Sequence, residues 1–193
     1  SGAAFVVATS LAPAVVLEGF ETSNPFGWVD AASPAPQSQN KAALATFAFV
    51  TASSTPAAAL TEGVQAGRLG VTWTVPGATA THPGYLPGAA TTFWSLRINA
   101  PGGPSQASIP HTATLTADIF NYSADTYQFF FTLATTDGLK NLPAQTLAPG
   151  ANTVSWNLST LTTAGNGVLA FTGTTAYLDG STSKMRGFFL YTE

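Results

Sequence analysis

The chain has 193 residues, no cysteine, a net charge of -3 and a charged share of 8%, where ordinary globular domains carry about 25%. Disulfides and thiol chemistry are therefore excluded, and six Lys and Arg spread along the chain do not make the basic patch that nucleic acid requires. No apolar run reaches the roughly 18 residues of a membrane span, and one domain with a full hydrophobic core is the natural reading of this length.

The first charge is Glu18. Before it, AAFVVATSL alternates, with Ala3, Phe5, Val7, Thr9 and Leu11 on one face and Ala4, Val6, Ala8 and Ser10 on the other. Both faces are largely apolar, as in a strand inserted between two layers. Alone in water such a strand is an aggregation hazard. Residues 1–14 are therefore expected either to pair with their own sheet or to be donated to a neighbouring copy, with Phe5, Val7 and Leu11 at the contact. Repeated head to tail, that contact builds an open filament. The missing initiator Met reads as a processed, exported chain starting at Ser1. The competing reading takes AAFVVATSLA as a leftover signal segment cleaved at Ala12-Pro13-Ala14, but it lacks a basic leader.

Beyond residue 14 the period is 2 almost throughout, and helical periodicity is nearly absent. TFAFV comes first, then RLGVTWTV, where Leu69, Val71, Trp73 and Val75 share a face. TFWSLRIN and HTATLTADIF follow, then TYQFFFTL with Tyr127, Phe129, Phe131 and Leu133 on one side. In NTVSWNL, Val154, Trp156 and Leu158 point inward, and GVLAFTG and MRGFFLYTE complete the set. The β-branched and aromatic content fits half-buried strands. Pro, Gly and Asn clusters such as VPGATATHPGYLPG, LAPGAN and AGNG punctuate them. One helical turn is expected in PAAALTEG. The spacing predicts an all-β antiparallel sandwich.

Four stretches run in a telling order: VVLEGFE with a nearby GW, ALTEGVQAGRLGVTW, TATLTADIFNYSADTYQFFFTLAT and QTLAPGANTVSWNLS. The order resembles the jelly-roll, galactose-binding-like domains that serve as carbohydrate-binding modules of secreted bacterial polysaccharide-degrading enzymes. Those domains open on an acidic-Phe-Glu strand and carry a Leu-x-Pro-Gly-x-Asn-Thr turn. The resemblance spans residues 15–193, leaves residues 1–14 outside, and implies a jelly-roll path closed by MRGFFLYTE. It also implies a structural calcium where the two ends meet, which would draw on Glu18, Glu21 and Asp179, because calcium takes clustered oxygens. The alternative is that Glu18 and Glu21 are exposed strand-end charges and that no cofactor is bound.

No nucleophile elbow, zinc-binding His-Glu pattern or phosphate loop occurs, and no carboxylate pair sits in a glycosidase motif, so no catalysis is expected. Sugar binding would use aromatic rings, on which pyranose C–H faces stack. Tyr85 and His82 in the THPGYLPG loop are the first candidates, followed by Trp28 and Trp94. Trp73 and Trp156 alternate with Val and Leu and read as core. Phe120 and Phe130 each lie opposite their strand's main apolar set. An aromatic there implies a second covered surface, covered by a loop, a ligand or a neighbour. Asn121-Tyr122-Ser123 and Asn157-Leu158-Ser159 match the N-glycosylation sequon.

Two functional readings follow. The first is an extracellular, non-catalytic subunit that assembles with copies of itself into a surface filament or matrix. The ion-poor surface, the apolar first strand, Phe120 and Phe130 favour it. The second is a carbohydrate-binding module for a polysaccharide, favoured by the resemblance.

Overall fold

The computed structural model describes residues 29–30, 42–55, 57–60, 63–73, 94–99, 108–170 and 174–192, with side chains for 48–55, 57–60, 63–70, 108–170 and 174–190. The sequence expectations for Phe5, Val7, Leu11, Glu18, Glu21, Trp28, His82 and Tyr85 lie outside the described residues.

The strands are β1 Val29–Asp30, β2 Ala42–Thr51, β3 Gln65–Trp73, β4 Trp94–Asn99, β5 Ile109–Pro110 and β6 Thr114–Asn121. They continue as β7 Tyr127–Thr135, β8 Gly138–Asn141, β9 Gln145–Leu147, β10 Gly150–Asn157, β11 Val168–Ala170, β12 Thr175–Ala176 and β13 Thr182–Thr192. Every described pairing is antiparallel, as the alternation predicts. The large sheet runs β1-β4-β13-β7-β8-β11-β12, with β5 also paired to β13 and β9 to β7. β6 with β10, and β2 with β3, form separate two-stranded ribbons. No described helix is long and apolar enough to cross a membrane.

The β6–β10 ribbon lays its inward side chains on β7. Trp156 sits with its ring centroid 5.4 Å from Phe131 and 6.3 Å from Phe129. Its indole N–H donates to the Pro143 carbonyl at 2.7 Å, so this large ring is buried with its polar atom satisfied. Leu133, Leu158 and Val168 are fully buried in the same core. The alternation read from NTVSWNL is the alternation observed, whereas in TYQFFFTL the expected face of Tyr127, Phe129, Phe131 and Leu133 is buried but Phe130 and Thr132 on the other face are buried too.

The opposite face of the large sheet is also covered. Phe130 stacks on Phe189 at 5.0 Å, both on the side away from Trp156, and Phe130 is 3% exposed. Beside them Thr132 Oγ1 donates to Asn141 Oδ1 at 2.7 Å. The second covered surface inferred for Phe130 therefore exists, but the chain itself covers it. Phe130, expected at a contact between subunits, is a core residue of the single chain. The physical reason is that the centre of β7 is buried on both sides, with Phe130 and Thr132 on one and Phe129, Phe131 and Leu133 on the other.

The helical turn expected in PAAALTEG is absent from residues 57–60. The Tyr122 hydroxyl donates to the Ala57 carbonyl at 2.6 Å and accepts from the Ala59 N–H at 2.9 Å. Those backbone groups are thereby bound outward. A turn of 3-10 helix forms instead at Leu158–Leu161, capped by the Asn157 side chain.

The LAPGAN turn shows what its residue types do. Gly150 adopts a φ of 93°, which a side chain would oppose. Asn152 Oδ1 accepts from the Ala148 N–H at 3.0 Å, and its Nδ2 donates to the Ala148 and Gly150 carbonyls at 2.8 and 2.9 Å. Gly and Asn here are turn chemistry.

Candidate functional site

Two polar groupings stand out among the described residues, one closed and one open.

The closed one lies at the β7–β8 hairpin. Gly138 takes a φ of 97° and lets the chain reverse after Asp137. The reversal brings Thr135, Thr136 and Asp137 to Asp179, in the segment leading into β13. Thr135 Oγ1 donates to Asp179 Oδ1 at 2.5 Å, and the Asp137 N–H donates to Oδ2 at 2.8 Å. The Thr136 hydroxyl also donates to Oδ2. The Lys140 side chain is 6% exposed, with Nζ 3.2 Å from Asp137 Oδ2 and 3.8 Å from Asp179 Oδ1. Burial pushes the Asp179 carboxyl up, but hydrogen bonds from Thr135, Thr136 and the backbone N–H groups of Asp179 and Asp137 outweigh it and hold the pKa below the ordinary value.

Asp179 was expected to help hold calcium. Its oxygens face protein donors and the Lys140 ammonium instead, and a fixed cation at 3.8 Å repels a second one. Among the described residues no group of three or more His, Cys, Asp or Glu is placed to hold a metal. Glu18 and Glu21, which the resemblance would add to Asp179, lie outside the described residues.

The open grouping is the outer face of the β6–β10 ribbon. The register pairs Thr114 with Asn157, Thr116 with Ser155, Asp118 with Thr153 and Phe120 with Ala151. Thr153 Oγ1 donates to Asp118 Oδ1 at 2.6 Å, and the Thr116 and Ser155 hydroxyls lie 3.5 Å apart. At the end of this row Phe120 and Tyr122 bring their ring centroids to 4.5 Å at an angle of 50°. They are 42% and 49% exposed. The Tyr122 ring does not swing freely, because its hydroxyl is bound at both Ala57 and Ala59. A fixed, exposed pair of rings beside hydroxyls and one carboxylate is an arrangement that can stack on a pyranose and hydrogen-bond its hydroxyls.

Of the other sequence candidates, Trp94 opens β4 opposite Thr192. His111 is 3% exposed, with Nδ1 donating to the Gly180 carbonyl at 3.0 Å, which makes it a core histidine. The two sequons share one local geometry. Asn121 Oδ1 accepts from the Ser123 N–H and Oγ, both at 3.0 Å, and Asn157 Oδ1 accepts from the Ser159 N–H and Oγ at 3.2 and 2.7 Å. Asn121 Nδ2 is further tied to the Asp125 carbonyl at 2.7 Å. Both tripeptides thus have a turn-forming role in the fold.

Sequence reasoning picked out Phe120 and missed its partner. The i, i+2 spacing of Phe120 near the end of β6 and Tyr122 just beyond it was the available signal. The Asp179–Lys140 cluster was also missed, although Asp137-Gly138 is a hairpin signal.

No family model matches this chain, and neither a curated protein nor a solved structure matches it.

Proposed function

We propose that this chain is a non-catalytic, extracellular carbohydrate-binding domain of jelly-roll path, with the outer face of the β6–β10 ribbon as its site. The observation that carries the reading is the Phe120–Tyr122 ring pair, exposed and fixed at the end of a row of hydroxyls. The order of sequence motifs supports it, as does a surface built from Thr, Ser and Asn with few ions. Polyhydroxylated ligands match such a surface because each hydroxyl both donates and accepts.

The test is retention on insoluble glycans. Phe120→Ala should weaken retention about five- to tenfold, the equivalent of roughly 1 kcal/mol of lost stacking. Its melting temperature should stay close to wild type, because the ring is exposed. No retention of the wild type on any glycan would end this reading. Self-assembly through residues 1–14 would then lead, and light scattering across a range of concentrations would test it.

A further inference from the structure

The ribbon that carries the ring pair has Asp118 as its one charged side chain, and Arg68 on β3 is engaged elsewhere, donating to the Thr55 carbonyl at 3.2 Å. Asp118 precedes Phe120 by one step along the same strand face, and Thr153 holds only its Oδ1. Asp125, exposed, follows Tyr122 in the next loop. Neither β6 nor β10 contains a Lys, Arg or His, and residues 122–126 add none. A carboxylate can only accept hydrogen bonds, so it suits a neutral sugar hydroxyl and opposes another carboxylate.

Resting on the carbohydrate reading above, we infer that the ligand is an uncharged polysaccharide and that Asp118 is the specificity-determining residue that excludes acidic ones. A uronate chain laid across Phe120 and Tyr122 would bring a carboxylate towards Asp118, on a ribbon with no cation of its own to offset it. Like-charge juxtaposition of this kind separates partners by selectivity more than by affinity.

The experiment measures retention of the full chain on cellulose and mannan, both neutral, and on insoluble polygalacturonate, at low and at high salt. The quantity read is the ratio of acidic to neutral retention. Wild type should bind a neutral glycan and leave polygalacturonate in the wash at low salt. Asp118→Asn keeps an acceptor for Thr153 and should raise the ratio about fivefold, the scale of one exposed charge interaction. High salt should raise the wild-type ratio and change the variant's less, because screening replaces the mutation. Polygalacturonate retained as well as the neutral glycans would overturn the inference and leave the carbohydrate reading standing. A ratio unmoved by Asp118→Asn would overturn the role given to Asp118. Retention on none of the three would remove the carbohydrate reading and this inference with it.

Discussion

Asp179 and Asp118 are both aspartates held by threonine hydroxyls, and they do different work. Asp179 accepts from Thr135, Thr136 and the Asp137 backbone, faces the buried Lys140, and ties the β7–β8 hairpin to the start of β13. Among the described residues Asp118 accepts from Thr153, on a solvent-facing row. What separates them is how many of the carboxylate's acceptor positions the fold itself fills. A filled carboxylate holds the fold together, and a partly filled one remains available to a ligand.

The sharpest way to break this contrast is to remove the closed carboxylate. Asp179→Ala leaves Lys140, with its stem buried, facing the exposed Asp137, takes its acceptor from Thr136 and leaves Thr135 with the Gly138 carbonyl at 2.9 Å. It should cost about 2–3 kcal/mol in urea unfolding, somewhat below a fully buried pair because Asp137 is open to water. Asp118→Ala should cost less than about 0.5 kcal/mol by the same measurement. Equal losses would erase the distinction.

Acid probes the same contrast without mutation. The folded pKa of Asp179 lies below the ordinary 3.8, so its stabilising contribution is complete above that value and is lost as pH falls from there through the lower folded pKa. Thermal melts between pH 6 and the acid limit should show wild type losing stability over that window. Asp179→Asn, which keeps an acceptor but does not ionise, should lose less over the same range. Parallel curves would contradict the direction of the shift.

The long strands were legible because their apolar residues alternate in the sequence, and in β10 burial follows that period, while in β7 it identified only one of two buried faces. β7 and β10 place Phe129, Phe131 and Trp156 where the pattern puts them. The closed cluster was not legible for two reasons. β8 is the four residues Gly138–Asn141, too short for a period, and it buries Lys140 and Asn141, which residue type alone assigns to the surface. Its partner Asp179 stands 44 positions from Thr135, a separation that only the tertiary fold closes. β5, β9 and β12 were missed for the same shortness. Phe130 misled because an aromatic on the minority face of a strand is equally consistent with an exposed contact and with a sheet buried on both sides. The ring pair was half legible: Phe120 stood out, while Tyr122 was read only as the middle of a sequon.

A smaller effect is expected at the open site's own support. Tyr122→Phe keeps the ring beside Phe120 and removes the hydroxyl that bridges Ala57 and Ala59. Stability should fall by about 1 kcal/mol or less, since the bonds are partly exposed to water. Glycan retention should weaken less than for Phe120→Ala, because stacking survives and only the pinning is lost. Retention lost as fully as in Phe120→Ala would mean that ring position, more than ring area, sets the site.

The finest test exchanges a hydroxyl for a methyl of the same shape in both settings. Thr135→Val removes a donor from Asp179 in a part-buried contact, together with an exposed bond to the Gly138 carbonyl that water can replace, while Thr153→Val removes a donor from Asp118 in an exposed contact. Both positions are in strands, where Val is at least as well tolerated as Thr, so backbone preference does not confound the pair. At Thr135 water is a poor substitute, and a loss of about 1.5–2 kcal/mol is expected, the low end for a hydrogen bond to a charged group because the contact is part-buried. At Thr153 water reaches Asp118 and replaces the hydroxyl, so the change should stay within about 0.5 kcal/mol. Urea unfolding of the two variants reads the difference directly. If Thr153→Val cost as much as Thr135→Val, the outer row would be holding the ribbon together, and Asp118 would be a structural carboxylate of the same kind as Asp179.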